Sequence, residues 1–248
     1  MIISFFEEYP TKENLEKIKE IKFQTKLYIA ASSIDEFNKI KSQIKNKKVK
    51  EIIYWPILKI EEGYWLSPFS KRSALQRIMN ETKNVSLLWD AELPRKRSLL
   101  ITQLPYFFKN KRLINDFFKN YKGTIYTAEY FPEKGIFGRL LEYLGLSFSP
   151  NKYGNYQGKM VYSSVHDFNE KFIKAQMQCG VQKYDNKFII GLGVLATGIN
   201  ENEPIMSKER LERDLKLAKE SGLKEVIIFR LAGLNKGYLK VISKYAQK

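Results

Sequence analysis

Val85-Ser86-Leu87-Leu88-Trp89-Asp90-Ala91-Glu92-Leu93-Pro94 opens as an apolar run and closes on two acids and a proline. The run reads as a buried strand, and Pro94, with no amide hydrogen to offer a ladder, stops it. Side chains on a strand alternate faces, so Asp90 and Glu92 share one face at the strand's C-terminal end. Two ionised carboxylates side by side repel, so one of the pair is expected to hold its proton well above the ordinary carboxylate range. An undissociated acid beside an ionised carboxylate is the pairing that glycosidic-bond cleavage needs. The plainer reading is a strand-end turn whose acids meet solvent, Arg95 or Arg97.

Outward from this stretch the chain alternates. Strand-like runs fall at Ile2–Phe6, Lys26–Ala30, Glu51–Trp55, Val85–Trp89, Thr124–Ala128, Lys159–Ser163, Lys187–Gly191 and Glu225–Phe229. Helical periodicity fills the gaps at Thr11–Ile21, Ser33–Lys45, Lys71–Thr82, Ser98–Tyr121, Ile136–Leu144, Asn169–Val181, Ser207–Ser221 and Leu234–Ala246. Within these, apolar residues recur three and four apart, as in Leu15, Ile18 and Ile21 or Leu211, Leu215 and Ala218. Thr11 and Ser207 stand where N-caps belong, and Gly145 and Gly222 where helices stop. Eight strands alternating with eight helices predict a single (β/α)₈ barrel spanning residues 1–248. An open doubly wound sheet would need a glycine-rich phosphate turn after its first strand, and Glu7-Glu8-Tyr9-Pro10 is not one.

Composition narrows the chemistry. Cys179 is the one cysteine, which excludes a disulfide framework and a cysteine-rich zinc site, and it is expected to be a small buried residue. His166 is the one histidine, which excludes a two-histidine metal motif. No cofactor is expected. The start Met1-Ile2-Ile3-Ser4-Phe5-Phe6 reads as a strand and not a signal peptide, no apolar stretch is long enough to span a bilayer, and a cytoplasmic protein without a membrane partner is expected. Lys and Arg number 43 against 27 Asp and Glu, a net charge of +16. The lysines are spread along helices (Lys12, Lys17, Lys19, Lys39, Lys41, Lys45), as on the solvated surface of a heat-adapted protein, so nucleic acid is not the expected partner. The oligomeric state is not readable.

A barrel of this kind carries its site on the loops after the strands. Read in order, those positions hold Glu7 and Glu8; Ser32 and Ser33; Tyr54, Trp55, Tyr64 and Trp65; Trp89, Asp90 and Glu92; Glu129 and Tyr130; Tyr162, Ser164 and His166; Thr197 and Asn200; and Arg230. This mouth is acidic and aromatic on a basic chain. Aromatic faces cover the C–H faces of sugar rings, so a carbohydrate ligand is expected, bound by Glu7, Glu8, Trp55, Trp65, Trp89, His166 and Arg230. Arg230 is also placed to act as counter-ion to Asp90 or Glu92, and with Gly193, Gly198 and Gly233 it allows a small anionic group.

These residues resemble family 18 glycoside hydrolases, the chitinase-like (β/α)₈ barrels. Asp90-Ala91-Glu92-Leu93-Pro94 is similar to that family's Asp-x-Glu-x-Pro strand 4 ending, Thr127-Ala128-Glu129-Tyr130-Phe131-Pro132 to its strand 5 ending, and Met160-Val161-Tyr162 to its strand 6 Met-x-Tyr. Val226-Ile227-Ile228-Phe229 ends in an aromatic where the family has a strand 8 tryptophan. The resemblance implies Glu92 as general acid, Asp90 as the residue that orients a substrate acetamido group acting as nucleophile, and Tyr162 as a donor to that group's oxygen. The chain departs from the family at Ser86 and Leu88, where two further aspartates stand, at Tyr54-Trp55-Pro56 in place of Ser-x-Gly-Gly, and at Ser163 in place of an aspartate.

Three functions therefore stand open. One is a glycoside hydrolase in which Glu92 works with Asp90, or with Glu129 or Glu7 as an ordinary second carboxylate; a separation of about 5 Å would then mean retention of configuration and a larger one inversion. Another is a divalent-metal-dependent sugar isomerase or epimerase built on Asp90, Glu129 and His166. The third is a sugar-binding barrel without activity.

Overall fold

The computed structural model describes residues 1–131 and 135–247. Eight parallel strands close on themselves in chain order: β1 Ile2–Glu7, β2 Thr25–Ala31, β3 Val49–Pro56, β4 Leu87–Ala91, β5 Ile125–Tyr130, β6 Tyr156–Met160, β7 Phe188–Gly193 and β8 Glu225–Phe229, with β8 pairing back onto β1. The helices outside are α1 Lys12–Glu16, α2 Ile34–Gln43, α3 Arg72–Glu81, α4 Ser98–Thr102, α5 Phe107–Asn120, α6 Ile136–Tyr143, α7 Pro150–Tyr153, α8 Glu170–Tyr184, α9 Lys208–Glu220 and α10 Lys236–Ile242. This is the predicted (β/α)₈ barrel. Among the described residues no helix is long and apolar enough to cross a membrane.

Local chemistry sets the helix ends. The Thr11, Ser33, Asn169, Ser207 and Asn235 side chains each accept the amide hydrogen three residues on, satisfying a donor that a helix start leaves free. Gly145 and Gly222 end α6 and α9 with positive φ, as their positions predict. Pro105 divides the long Ser98–Tyr121 stretch into α4, a 3₁₀ turn and α5. Leu211, Leu215 and Ala218 of α9 are buried against the barrel, and Cys179 of α8 is a buried free thiol.

The two faces of the barrel wall do different things. Odd positions on β4 and β5, such as Leu87, Trp89, Ile125 and Glu129, point out toward the helices. Even positions, such as Leu88, Asp90, Tyr126 and Ala128, point in. Trp89 is fully buried on the outer face, its ring 5.8 Å from that of Phe117 and 5.4 Å from that of Phe118 on α5. The expected sugar contact at Trp89 is thus corrected: its apolar bulk is helix–sheet core.

Inside, the lower layer is polar. Lys26 Nζ lies 2.8 Å from Glu225 Oε2 and 3.1 Å from the Tyr126 hydroxyl, Ser4 and Tyr28 donate to Glu225 Oε1 at 2.7 and 3.0 Å, and Tyr126 donates to Glu51 at 2.9 Å. Above it pack Phe6, Tyr28, Ile53, Leu88, Ile189 and Ile227. The barrel is filled and closed at its N-terminal end.

The sixth strand runs three residues earlier than its sequence reading, over Tyr156–Met160 and not Lys159–Ser163. Gln157 and Gly158 hide it, yet Gly158 belongs there: a Cβ at that position would stand 2.5 Å from the Thr127 carbonyl oxygen of β5. Tyr162 therefore lies past the strand, in a turn with φ of +32°, and its carbonyl accepts the amides of Val165 and His166 at 2.9 and 3.1 Å.

Trp89→Ala is expected to destabilise the protein by about 3–5 kcal/mol, the usual cost of emptying a buried indole site. Urea unfolding measures this; a loss of ligand binding without a loss of stability would return Trp89 to the mouth.

Candidate active site

At the C-terminal ends of the strands a cavity of about 210 Å³ opens to solvent. Three carboxylates come to it from strand ends: Glu8 just after β1, Asp90 on β4 and Glu92 just after it. A fourth, Glu203, comes from the loop after β7. Its walls are Phe6, Trp55, Trp65, Phe131 and Phe229, with the hydroxyls of Tyr130 and Tyr162 among them, and His166 stands exposed at its rim.

The β4 pair sits where strand alternation predicts. Asp90 is buried, and its Oδ2 accepts the Trp55 indole N–H at 3.1 Å. Its Oδ1 is buried and accepts no hydrogen bond among the described residues. Burial, then the charges of Glu92 and Glu8, raise the Asp90 carboxyl well above its usual range. Burial likewise pushes Glu92 up to about 7, against the lowering effect of a hydrogen bond from the Tyr130 hydroxyl. The same hydroxyl accepts the Leu93 amide at 3.1 Å, which fixes the turn that carries Glu92. Below Asp90 on the inner face come Leu88 and Ser86, and Ser86 donates to Glu51 in the polar lower layer. No chain of carboxylates runs down this strand; Trp55, from the stretch that replaces Ser-x-Gly-Gly, supplies Asp90's hydrogen bond instead.

Glu8 is held by the Tyr64 hydroxyl at 2.6 Å and the Ile199 amide at 3.1 Å. Burial raises its carboxyl, an effect the Tyr64 bond offsets in part. Gly198 lets the β7 loop come this close: a Cβ there would lie 2.6 Å from Glu8 Oε2 and 2.7 Å from the Phe229 ring. On the other side of the loop the Gly198 amide donates to Glu203 at 3.3 Å. Tyr64 and Trp65 reach the mouth because their loop is tied to β4, through Leu66 N–H to the Asp90 carbonyl (2.9 Å), and to the segment after it, through Arg95 N–H to the Gly63 carbonyl (3.1 Å). The Tyr162 phenol is raised first by burial and then by the charges of Glu92, Asp90 and Glu8, so it shares their field.

Besides Trp89, three residues expected in the site lie elsewhere. Glu129 faces outward from β5, fully buried, where it accepts from Thr127 (2.6 Å), Ser147 (2.7 Å), the Phe148 amide (2.9 Å) and Gln157 (3.0 Å) and pairs with Lys159 at 2.9 Å. It cannot serve as a second carboxylate across the mouth. Nor can it join Asp90 and His166 around one metal ion, and among the described residues no group of three His, Cys, Asp or Glu is placed to hold one. Glu7 also turns outward: it pairs with Arg230 at 2.7 Å and accepts the Tyr9 and Ala232 amides at 2.9 and 2.8 Å. Arg230, donating besides to the Thr197 carbonyl at 2.9 Å, is the counter-ion of Glu7 and not of Asp90 or Glu92. Ser163 donates to Asp214 of α9 at 2.5 Å and points away from the cavity. Pro132 of the strand 5 resemblance lies outside the described residues.

Of the expected site, Glu8, Trp55, Trp65, Asp90, Glu92, Tyr162 and His166 line one cavity. Glu203 is the carboxylate that sequence reasoning missed: it stands ten residues beyond β7, and only the polar, glycine-bearing run Gly198–Glu203 hints at it.

No protein-family model and no curated protein sequence matches the chain. Its fold is similar to that of the PgaB (BpsB) glycoside hydrolase domain from Bordetella bronchiseptica, at 10% identity over 99% of this chain and 98% of that one, with a TM-score of 0.62. It is similar also to a plant class V chitinase mutant from Cycas revoluta, solved with (GlcNAc)3, at 12% identity over 99% of both chains and a TM-score of 0.53. A xylose isomerase domain protein from Planctomyces limnophilus matches at 10% identity over 98% of this chain and 92% of that one, with a TM-score of 0.51. The shared property is the eight-stranded parallel barrel, the architecture that the resemblance to chitinase-like proteins implies.

A carboxyl raised in the folded state favours folding below its unfolded value and loses that contribution as pH climbs through the folded one. For Glu92 the loss falls between about 4.3, the ordinary glutamate value, and about 7. Glu92→Gln is therefore expected to stabilise the protein little at pH 4 and most at pH 8, by at most about 3–4 kcal/mol at the upper end. Thermal unfolding across that range checks it; an advantage independent of pH would mean that Glu92 titrates normally.

Proposed function

We propose that the protein is a glycoside hydrolase that cleaves beside an acetamido sugar, with Glu92 as general acid and Asp90 assisting. The observation that carries this reading is the Asp90–Glu92 pair: two carboxyls side by side at the end of one strand, both raised by burial, in an aromatic-walled cavity.

In the first step Glu92 gives its proton to the glycosidic oxygen as the C1–O bond breaks, and the substrate's acetamido oxygen closes on C1. Asp90 Oδ1, which accepts nothing from the described residues, takes the acetamido N–H and keeps the group aligned. The Tyr162 hydroxyl binds the acetamido oxygen. In the second step water attacks C1, Glu92 takes its proton, and the acetamido group is released. Trp55, Trp65, Phe131 and Phe229 cover the C–H faces of the sugar. The chemistry relies on Arg230 staying with Glu7, because a cation on the pair would pull Glu92's proton off below neutral pH.

The test is mass spectrometry of products from N-acetylglucosamine oligosaccharides and plain hexose oligosaccharides. Wild type is expected to cleave the acetamido substrates only, and Glu92→Gln to lose about 10²–10⁴-fold in rate. The kcat/KM of wild type is expected to fall above pH 7, as Glu92 loses the proton it must donate. Cleavage of plain hexose alone would discard assistance by the acetamido group. Tight sugar binding with no cleavage, unchanged in Glu92→Gln, would make the protein a sugar-binding barrel.

A further inference from the structure

The chain from Arg95 to Arg112, which follows the acid pair directly, has six cations (Arg95, Lys96, Arg97, Lys109, Lys111, Arg112) and no Asp or Glu. Between the basic ends lies the apolar run Leu99-Leu100-Ile101 and Leu104-Pro105-Tyr106-Phe107-Phe108. Leu99 and Phe107 are buried and anchor it, Phe107 with its ring 5.0 Å from that of Phe69. The others are presented to solvent: Ile101 is 77% exposed, Leu104 60% and Phe108 69%, three large apolar side chains on the surface of α4, the turn after it and α5. The surface continues onto α6, where Ile136, Leu140 and Tyr143 recur on one exposed stripe, Ile136 at 88%. Lys111 joins the two, bonding the Tyr143 carbonyl with its ammonium 4.7 Å from the centre of that ring.

From this we infer that the rim beside the mouth, carried by α4, the start of α5, and α6, docks on an anionic lipid surface. The inference goes beyond the glycosidase reading and does not depend on it. Aliphatic and aromatic side chains between clusters of Lys and Arg form the pattern that inserts at a headgroup boundary while its cations meet acidic lipid. A second copy of a chain with net charge +16 would bring like charge against like at this patch. Single-stranded nucleic acid would engage the cations and the rings but leave Ile101, Leu104 and Ile136 without a partner. The sequence expectation of no membrane partner rested on the lack of a spanning stretch, which surface docking does not need. Arg95 hydrogen-bonds Asn200 of the cavity wall, so the docking rim and the cavity are adjacent.

The test is flotation of the full chain with vesicles of phosphatidylcholine alone or mixed with phosphatidylserine, at low and high salt, with light scattering of the free protein alongside. Wild type is expected to float with the phosphatidylserine vesicles only, and less at high salt. The triple variant Ile101→Ser, Leu104→Ser, Phe108→Ser, checked by circular dichroism for an unchanged fold, is expected to bind about tenfold more weakly. In a separate variant, Leu104→Trp, the emission is expected to shift to the blue on those vesicles and to be quenched by brominated acyl chains. Wild type that ignores phosphatidylserine vesicles, a triple variant that binds them as wild type does, or a Leu104→Trp emission that does not move each overturns the proposal. A dimer dispersed by the triple variant, or capture of single-stranded RNA in place of vesicles, would do the same and assign the rim to that partner.

Discussion

Closure of eight parallel strands imposes a strict division on every residue of the wall: one face meets the helices and the other meets the barrel interior. Which acids meet in the cavity follows from this alternation more than from their proximity in sequence. Asp90 and Glu92 share the inner face with Leu88 and Ser86, while Glu129, beside Ala91 in the ladder, turns outward. A shift of one residue in β4 would put Trp89 in the cavity and bury the acids among the helices.

The outward acids are as well organised as the inward ones, toward the opposite end. Glu129 has Lys159 and a full set of donors, and Glu7 has Arg230 and two amides. Each is a buried charge made tolerable by its partner. By engaging Arg230, Glu7 holds that cation behind the wall, where its charge lowers Glu8 in part but is no cause of the shift at Asp90 or Glu92, which burial raises first and neighbouring acids second. The basic surface and the acidic cavity thus coexist: the net charge sits on solvated helix faces, and the cavity is lined by acids that strand ends and the β7 loop bring to it.

The alternation of strands and helices, the capping residues and the β4 motif were readable because each is a local pattern. The i, i+2 spacing placed Asp90 and Glu92 together, and the structure keeps them so. The same spacing could not say which face is the inner one. Strands of a parallel barrel are apolar on both faces, so Ile125 and Tyr126, or Leu88 and Trp89, carry no polar alternation to mark inside from outside. That is why Trp89 and Glu129 read as mouth residues. Gln157 and Gly158 concealed β6 because their value lies in a close approach to β5, a tertiary fact. Glu203 was hidden because a loop, held by Gly198 and Glu8, brings it from ten residues beyond its strand.

The polar layer of Lys26, Glu225, Tyr126 and Glu51, with the apolar side chains packed above it, gives the barrel a floor. Among the described residues the acid pair faces solvent through the mouth, so ligand, water and protons share one entrance. The walls that set which ligand enters therefore also set how readily the two acids exchange with the medium.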